Sequence, residues 1–141
     1  MTIALWMQTT NTNSSMSLIA KPWMSTYDTW QIGIDPSRVV RFDTFDGVTP
    51  KSITTATGAF PTATWTHIAV TYDATGAKLF VNGAFVKSGG PYNVSVNMTP
   101  IYIGCDLDST AQTRYFTGLL DDVRVYRRAL TDAEVAGLLT P

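Results

Sequence analysis

Apolar and polar residues alternate with a period of two in much of the chain, the pattern typical of strands with one buried face. The clearest case is Thr2–Gln8, where Ile3, Leu5 and Met7 fall on one side. The same pattern, with more irregularity, predicts strands at Met16–Ala20, Trp30–Ile34, Arg38–Phe45, Trp65–Tyr72, Lys78–Val81, Ala84–Lys87, Ile101–Gly104 and Tyr115–Tyr126. No repeat or linker interrupts the series. We therefore predict a single all-β domain over residues 1–141, built as an antiparallel β-sandwich.

Two local signals predict a hairpin and one short helix. Asn82-Gly83 separates two strand segments, and both residues tolerate the positive φ that a type I′ turn requires. Near the end of the chain, Thr131 and Glu134 have the spacing of a capping box, which predicts a helix over Asp132–Leu139. Glu134 is the only glutamate, so this cap gives it a structural role.

Composition and charge narrow the classes of function. Ten Lys and Arg against eleven Asp and Glu leave a net charge of −1, so the sequence predicts no nucleic-acid partner and no membrane partner. No apolar run reaches the ~20 residues of a membrane span, and we expect no signal peptide within the chain. A single cysteine, Cys105, and a single histidine, His67, exclude an intrachain disulfide and a Cys- or His-rich metal site. Twenty-two threonines with four lysines favour strands and an extracellular or cell-surface domain.

Three stretches carry the motifs of one known family. They are Thr2-Ile3-Ala4-Leu5-Trp6-Met7, Trp65-Thr66-His67-Ile68-Ala69-Val70-Thr71-Tyr72-Asp73 followed by Lys78-Leu79-Phe80-Val81-Asn82-Gly83, and Phe116-Thr117-Gly118-Leu119-Leu120-Asp121-Asp122-Val123-Arg124-Val125-Tyr126 followed by Ala129-Leu130-Thr131-Asp132-Ala133-Glu134-Val135. In this order they resemble the laminin G-like, concanavalin A-like lectin/glucanase jelly-roll family. The resemblance extends from Thr2 to Leu139 and implies a jelly-roll sandwich.

The resemblance also includes one departure. Family members usually carry a further strand before the first motif, and we expect it to be absent here. A sheet that ends one strand early exposes backbone N–H and C=O groups at its edge. The alternatives are a monomer whose edge is protected by its own polar residues and a homodimer that pairs two such edges.

The family resemblance implies a non-catalytic carbohydrate- or glycan-binding module of an extracellular or surface protein. One alternative is a structural or protein-interaction domain of a surface or phage-tail protein. Another is a degenerate glycoside hydrolase, which would need two suitably spaced carboxyl groups. Adjacent strand residues point to opposite faces, so we expect Asp121 and Asp122 not to share a substrate. Asp106 and Asp108 could face the same way.

Aromatic residues near polar ones are the candidates for ligand contact, because sugars present apolar C–H faces and hydroxyl rims. We predict a ligand-binding rim around Asp28, and for Trp30 a place in the sheet core is the alternative. Trp6 and Trp65 lie in family motifs and are expected to pack inside. The other predicted ligand-binding residues are Trp23, Tyr27, Tyr92 and Tyr115.

Calcium is the one metal for which the sequence offers ligands, since Ca²⁺ binds carboxylate and carbonyl oxygens. Asp106 and Asp108 form an Asp-x-Asp pair in a predicted loop, and Asp43 and Asp46 form a second acidic bend. The family resemblance adds Asp121, near the closing strand. The alternative is that these carboxylates are solvated or accept backbone hydrogen bonds.

Overall fold

The protein is described by a computed structural model, which covers residues 1–22, 28–90, 94, 97–108 and 110–140. The elements, in chain order, are β1 (Thr2–Gln8), β2 (Met16–Pro22), β3 (Asp28–Ile34), β4 (Val40–Phe45), β5 (Pro50–Thr54), β6 (Thr66–Asp73), β7 (Gly76–Val81), β8 (Ala84–Gly89), β9 (Tyr102–Ile103), β10 (Asp106–Asp108), β11 (Ala111–Thr113), β12 (Leu119–Tyr126) and α1 (Asp132–Gly137).

Two five-stranded sheets face each other across the molecule. We call the sheet with strand order β12-β1-β6-β7-β8 the back sheet and the sheet with order β5-β4-β3-β2-β9 the front sheet. Strands β10 and β11 form a separate short hairpin. The described strand pairs are antiparallel. The predicted antiparallel β-sandwich is therefore confirmed.

The main core lies between the sheets and follows the period-two pattern. Ile3 and Leu5 of β1 belong to the same buried cluster as Ile32 of β3 and Phe42 of β4, and none of the four is accessible to solvent. Each such side chain contributes about 1.5–3 kcal/mol relative to exposure. Residues between these positions point to the outer faces of the two sheets.

Helix α1 covers part of the outer face of the back sheet. Val135 and Leu130 pack there with Phe80 in a second, smaller cluster. The predicted capping box is present: the Glu134 backbone N–H donates to Thr131 Oγ1 at 3.2 Å, and the Thr131 N–H donates to Glu134 Oε2 at 2.8 Å. The helix ends at Gly137, two residues before the predicted end, because its last turn tightens at Leu138 and Leu139.

The predicted hairpin turn between β7 and β8 is also confirmed. Asn82 and Gly83 have φ of 48° and 72°, as a type I′ turn requires. The Asn82 side chain accepts the backbone N–H of His67 at 2.9 Å, which fastens the turn to β6. A Cβ on residue 83 would lie 2.8 Å from Leu139, so the turn and the end of the helix are in close contact.

Some elements differ from the prediction. Strand β5 was not predicted, because it starts at Pro50 and buries only Ile53 among its five residues. The Asp106–Asp108 segment is a strand and not the expected loop. Strand β12 begins at Leu119 instead of Tyr115, because Gly118 adopts φ 154° before it.

Strand β12 is one edge of the back sheet, and both Leu119 and Val125 are exposed along it. The choice between a protected monomer edge and a homodimer stays a prediction. Within the ranges that the structure covers, no helix is long and apolar enough to cross a membrane.

Candidate functional site

A polar groove crosses the outer face of the front sheet. It consists of two adjoining cavities of about 220 and 200 Å³, whose shared lining is Gln31, Arg41, Asp43 and Arg114. Gln31 lies on β3, Arg41 and Asp43 lie on β4, and Arg114 follows β11. The alternate residues of β3 and β4 fill the core, so strand geometry directs these polar side chains outward. We call this surface the front groove.

A buried carboxylate anchors the front groove. The Asp106 side chain is 1% exposed, and its Oδ2 accepts Gln31 Nε2 at 3.0 Å and lies 3.3 Å from Arg114 Nη1. Its Oδ1 accepts the backbone N–H of Leu107 at 2.7 Å. Arg114 also donates to Gln31 Oε1 at 3.3 Å. A buried charge is tolerated only with such partners, so they hold Arg114 and Gln31 in place.

Asp28 lies against this cluster and is a weaker acid than an ordinary aspartate. Burial, and then the negative charge of Asp106 and a hydrogen bond between the two carboxyl groups, raise the pKa of Asp28 well above its usual range. Protonation of Asp28 is thereby favoured, because a protonated carboxyl can donate the hydrogen bond that Asp106 accepts. The register between β2 and β3 shifts at Asp28, which lines the groove although it starts a largely buried strand.

The other wall of the front groove carries an exposed charge pair. Arg41 Nη2 lies 3.1 Å from Asp43 Oδ1, and the Ser52 hydroxyl donates to the same oxygen. The Arg41 side chain is 46% exposed, so its guanidinium has donors to offer a ligand. Exposed ion pairs contribute about 0–1 kcal/mol, so a ligand can replace this contact at small cost.

The predicted ligand-binding residues have different outcomes. Asp28 lines the front groove. Trp30 is 3% exposed and packs in the core, which corrects the expectation that its ring faces a ligand. Tyr115 is exposed and donates a 3.3 Å hydrogen bond, but it does not belong to the described lining of the groove. Three predicted residues lie outside the described ranges, and for them the prediction stays open: Trp23, Tyr27 and Tyr92.

The aspartates predicted as calcium ligands have other partners. Asp106 is neutralised by Arg114, and Asp108 Oδ2 accepts the Thr113 hydroxyl at 2.8 Å. Asp43 pairs with Arg41, whereas Asp46 accepts the backbone N–H groups of residues 48 and 49, which lower its pKa.

In the part of the chain that the structure describes, no three His, Cys, Asp or Glu side chains come together as metal ligands. Calcium binding stays a prediction. A higher melting temperature in millimolar Ca²⁺ than in EDTA would support it, because a ligand of the native state stabilises that state.

The last predicted metal ligand, Asp121, lies on the back sheet, and its neighbour corrects the sequence interpretation. Asp121 and Asp122 were expected to point to opposite faces, yet both line one cavity. Ala4 of β1 pairs with Arg124 and Trp6 pairs with Asp121, so β12 has one extra residue directly after Asp121, where Asp122 has φ 49°. Such a β-bulge places two residues against one and so breaks the alternation.

One pair of carboxyl groups, Asp28 and Asp106, lies closer together than glycoside hydrolysis requires. That reaction uses two carboxyl groups about 5–9.5 Å apart, whereas Asp28 and Asp106 are in hydrogen-bond contact. Glu134 forms the helix cap, and Arg128 with the Thr131 backbone lowers its pKa to about 2. His67 is 2% exposed, and burial lowers its pKa to about 4.

Sequence reasoning missed the polar residues that form the groove. Gln31 and Arg41 alternate with Ile32 and Phe42, and this alternation could have indicated them. Arg114 carried no such signal, because it follows an unpredicted hairpin and adopts φ 48°.

A family model described as the concanavalin A-like lectin/glucanases superfamily matches residues 1–136. The chain belongs to this superfamily. The resemblance seen in the three motif stretches is thereby confirmed. No curated protein matches the chain significantly in sequence.

Solved structures share the superfamily fold over nearly the whole chain. The CBM40 of the Ruminococcus gnavus IT-sialidase, bound to α2,3-sialyllactose, has a TM-score of 0.83 at 18% identity, over 98% of this chain and 81% of that one. The leech intramolecular trans-sialidase has 0.80 at 20%, over 96% of this chain and 22% of that one. Domain 4 of an extracellular GH43 arabinanase from Geobacillus stearothermophilus, in complex with arabinotriose, has 0.71 at 19%, over 99% and 66%. At these identities the likeness shows the fold alone.

Proposed function

We propose that this domain is a non-catalytic carbohydrate-binding module and that the front groove holds the sugar. The observation that carries the proposal is the row of planar polar side chains on the outer face of the front sheet. Two of the structurally similar proteins are solved with oligosaccharides, namely sialyllactose and arabinotriose. Membership of the superfamily is consistent with the same class of ligand.

The chemistry of the groove suits sugar hydroxyls. Arg41 and Arg114 supply N–H donors, and Asp43 supplies carboxylate oxygens that accept hydroxyl protons. The Asp106 cluster fixes the side chains of Gln31 and Arg114 before a ligand arrives, so less side-chain entropy is lost on binding. Two cavities of about 200 Å³ each suit one or two sugar units.

The non-catalytic role rests on the carboxyl groups of the described residues. Asp28 and Asp106 are hydrogen-bonded to each other, and this leaves no room between them for a glycosidic bond. We expect no release of reducing ends from a polysaccharide panel. We place the module in an extracellular or cell-surface protein, as its threonine-rich, lysine-poor composition favours.

Calorimetric titration tests the proposal. The protein is titrated with 3′-sialyllactose, lactose and arabinotriose, and we expect saturable binding of at least one. Arg41→Ala removes a groove donor without emptying the core and should weaken that binding about tenfold, since hydrogen bonds to charged groups contribute about 1.5–3 kcal/mol. Lys87→Ala is the matched control, because Lys87 is an exposed cation on β8 outside the groove lining. Its affinity should equal that of the wild type.

Two results would contradict the proposal. One is no heat and no chemical-shift change with any of the three sugars. The other is binding that Arg41→Ala and Ser52→Ala leave unchanged while both variants keep the wild-type melting temperature. Preference for 3′-sialyllactose over lactose would assign the two arginines to an acidic sugar.

A further inference from the structure

A second cavity, of about 660 Å³, lies on the other side of the sandwich, on the outer face of the back sheet. We call it the back cleft. It is defined by its lining residues, Trp6, Trp65, Asp121, Asp122, Arg124, Leu138 and Leu139. Indole rings, carboxylates, a guanidinium and aliphatic side chains therefore meet at one opening. The size falls within the ~300–1,000 Å³ of small-molecule sites.

The back cleft is built on a row of three neighbouring strands. Trp6 on β1 is paired with Asp121 on β12 and with His67 on β6. Side chains directly opposite one another on one face of a sheet lie about 4.5–5.5 Å apart at Cβ, so an indole ring and a carboxylate are adjacent there. The aliphatic wall comes from the C-terminal end of the α1 region, where Leu139 rests against Gly83.

The two indole rings contradict the expectation that both tryptophans pack inside. Trp65 is 39% exposed and Trp6 is half-buried. The Trp6 ring stacks edge-on against the buried His67, with ring centroids 5.2 Å apart and an interplanar angle of 61°. Because this contact and the strand pairing hold Trp6, its ring is available as a preformed surface.

The bulge in β12 brings a second carboxylate to the same opening. Asp121 accepts the backbone N–H of Asp122 at 2.7 Å, and Asp122 accepts Arg124 Nε at 2.6 Å. Each ionised carboxylate has further lone pairs to offer, and Arg124 has further N–H donors. Two carboxylates against one guanidinium leave the cleft with a net negative charge.

We propose that the back cleft is a second saccharide-binding site, specific for a neutral sugar. The apolar C–H face of a sugar ring would lie on Trp65 and Trp6, and its hydroxyls would donate to Asp121 and Asp122. An acidic sugar is disfavoured there, because it would place a third negative charge against these carboxylates. The inference does not depend on the front groove, since the two surfaces lie on different sheets and share no lining residue.

The test follows the tryptophan indole N–H signals by NMR while the whole chain is titrated. The probes are lactose, cellotriose, maltotriose and arabinotriose, with 3′-sialyllactose as the acidic comparison. The Arg41→Ala background weakens the front groove, and Trp65→Phe and Trp6→Phe identify the two signals. We expect the Trp6 and Trp65 signals to shift saturably with at least one neutral sugar and to do so unchanged in Arg41→Ala.

Three variants separate binding from folding. Trp65→Ala should weaken the neutral-sugar response about tenfold, and Trp65→Phe should restore most of it, because an aromatic face is what the sugar requires. Asp121→Asn keeps the shape of the side chain and should weaken the response several-fold through loss of a charged acceptor. Wild-type melting temperatures would show that all three variants are folded.

The proposal is overturned if neither indole signal moves with any neutral sugar, or if Trp65→Ala and Asp121→Asn leave a shift unchanged. A front groove that binds sugar while the back cleft does not would remove this proposal alone. Binding at the back cleft, with no sugar binding by calorimetry that Arg41→Ala weakens, would remove only the front groove.

Discussion

The front groove and the back cleft are outer faces of the same sandwich, but they are built from different chemistry. In the front groove a buried carboxylate, Asp106, organises polar side chains around it. In the back cleft the carboxylates are at the surface, and a buried aromatic contact between Trp6 and His67 organises the site. In both places a contact beneath the outward-pointing side chains holds them in position, which is what a preorganised binding site requires.

The strongest test of this difference between the two sites is to remove one aspartate from each. Asp106→Ala should lower the free energy of unfolding by about 3 kcal/mol, because it strips the buried partner from Gln31 and Arg114. Asp121→Ala should change it by less than about 0.5 kcal/mol, because that carboxylate is exposed. Urea unfolding measures both. Equal effects of the two substitutions would show that Asp106 is not the anchor of the front groove.

The second prediction concerns how stability depends on pH through His67, which contacts Trp6 of the back cleft. Burial lowers the pKa of His67 to about 4, so between pH 6.5 and 4 the unfolded chain takes up a proton that the folded chain does not. The free energy of unfolding should therefore fall as the pH falls through this window. His67 should account for about 1–3 kcal/mol of that loss.

His67→Gln is the control for that prediction, because glutamine does not titrate. The difference in unfolding free energy between wild type and variant should shrink steadily from about pH 7 to pH 4, while other acids titrate equally in both. A constant difference over this range would mean that His67 titrates normally in the fold.

The third prediction concerns Asp28 in the front groove, where stability should fall as the pH rises and not as it falls. The pKa of Asp28 is raised by burial and by Asp106, so the folded chain keeps a proton that the unfolded chain loses above about pH 4. This contribution to stability is lost as the pH rises through the raised pKa. Asp28→Asn mimics the protonated acid, and at about pH 9 it should be more stable than wild type by about 1 kcal/mol. Thermal melts at about pH 5 and pH 9 measure the change, and a variant equally destabilised at both would count against a raised pKa of Asp28.

The smallest effect is expected at the helix cap. Glu134→Gln removes the ion pair with Arg128 and weakens the bond to the Thr131 N–H, so α1 should fray slightly and the melting temperature should fall a little. Because Leu138 and Leu139 line the back cleft, neutral-sugar binding there should weaken with it. Binding in the front groove should not change, and a parallel loss in both sites would indicate general unfolding instead.

Much of the fold could be predicted from the sequence because the signals are local. The alternation in Thr2–Gln8, the Asn82-Gly83 turn and the Thr131–Glu134 cap each depend on neighbours a few residues away. Strand β5 was not predicted, because an edge strand needs few buried side chains and so shows little alternation.

The sites were less predictable because they depend on departures from those rules. Asp106 is paired with Gln31, 75 residues away, and nothing in either segment indicates the other. Asp121 and Asp122 share a cavity only because a bulge interrupts the alternation on which the prediction relied. Trp30 is buried although it was predicted to contact a ligand, and Trp65 is exposed although it was predicted to pack inside. The exposure of each ring depends on which residues cover it in three dimensions.

The bulge also affects how the domain behaves beside other copies of itself. An edge strand such as β12 offers unpaired backbone groups on which another chain can add a strand, and repeated addition leads to aggregates. Regular pairing needs an uninterrupted register, and the left-handed Asp122 breaks it in the middle of the strand. An incoming strand would also have to desolvate the charges of Asp121, Asp122 and Arg124. We therefore expect deletion of Asp122, which removes the extra residue and gives a continuous edge, to make the chain precipitate at lower concentrations than the natural chain.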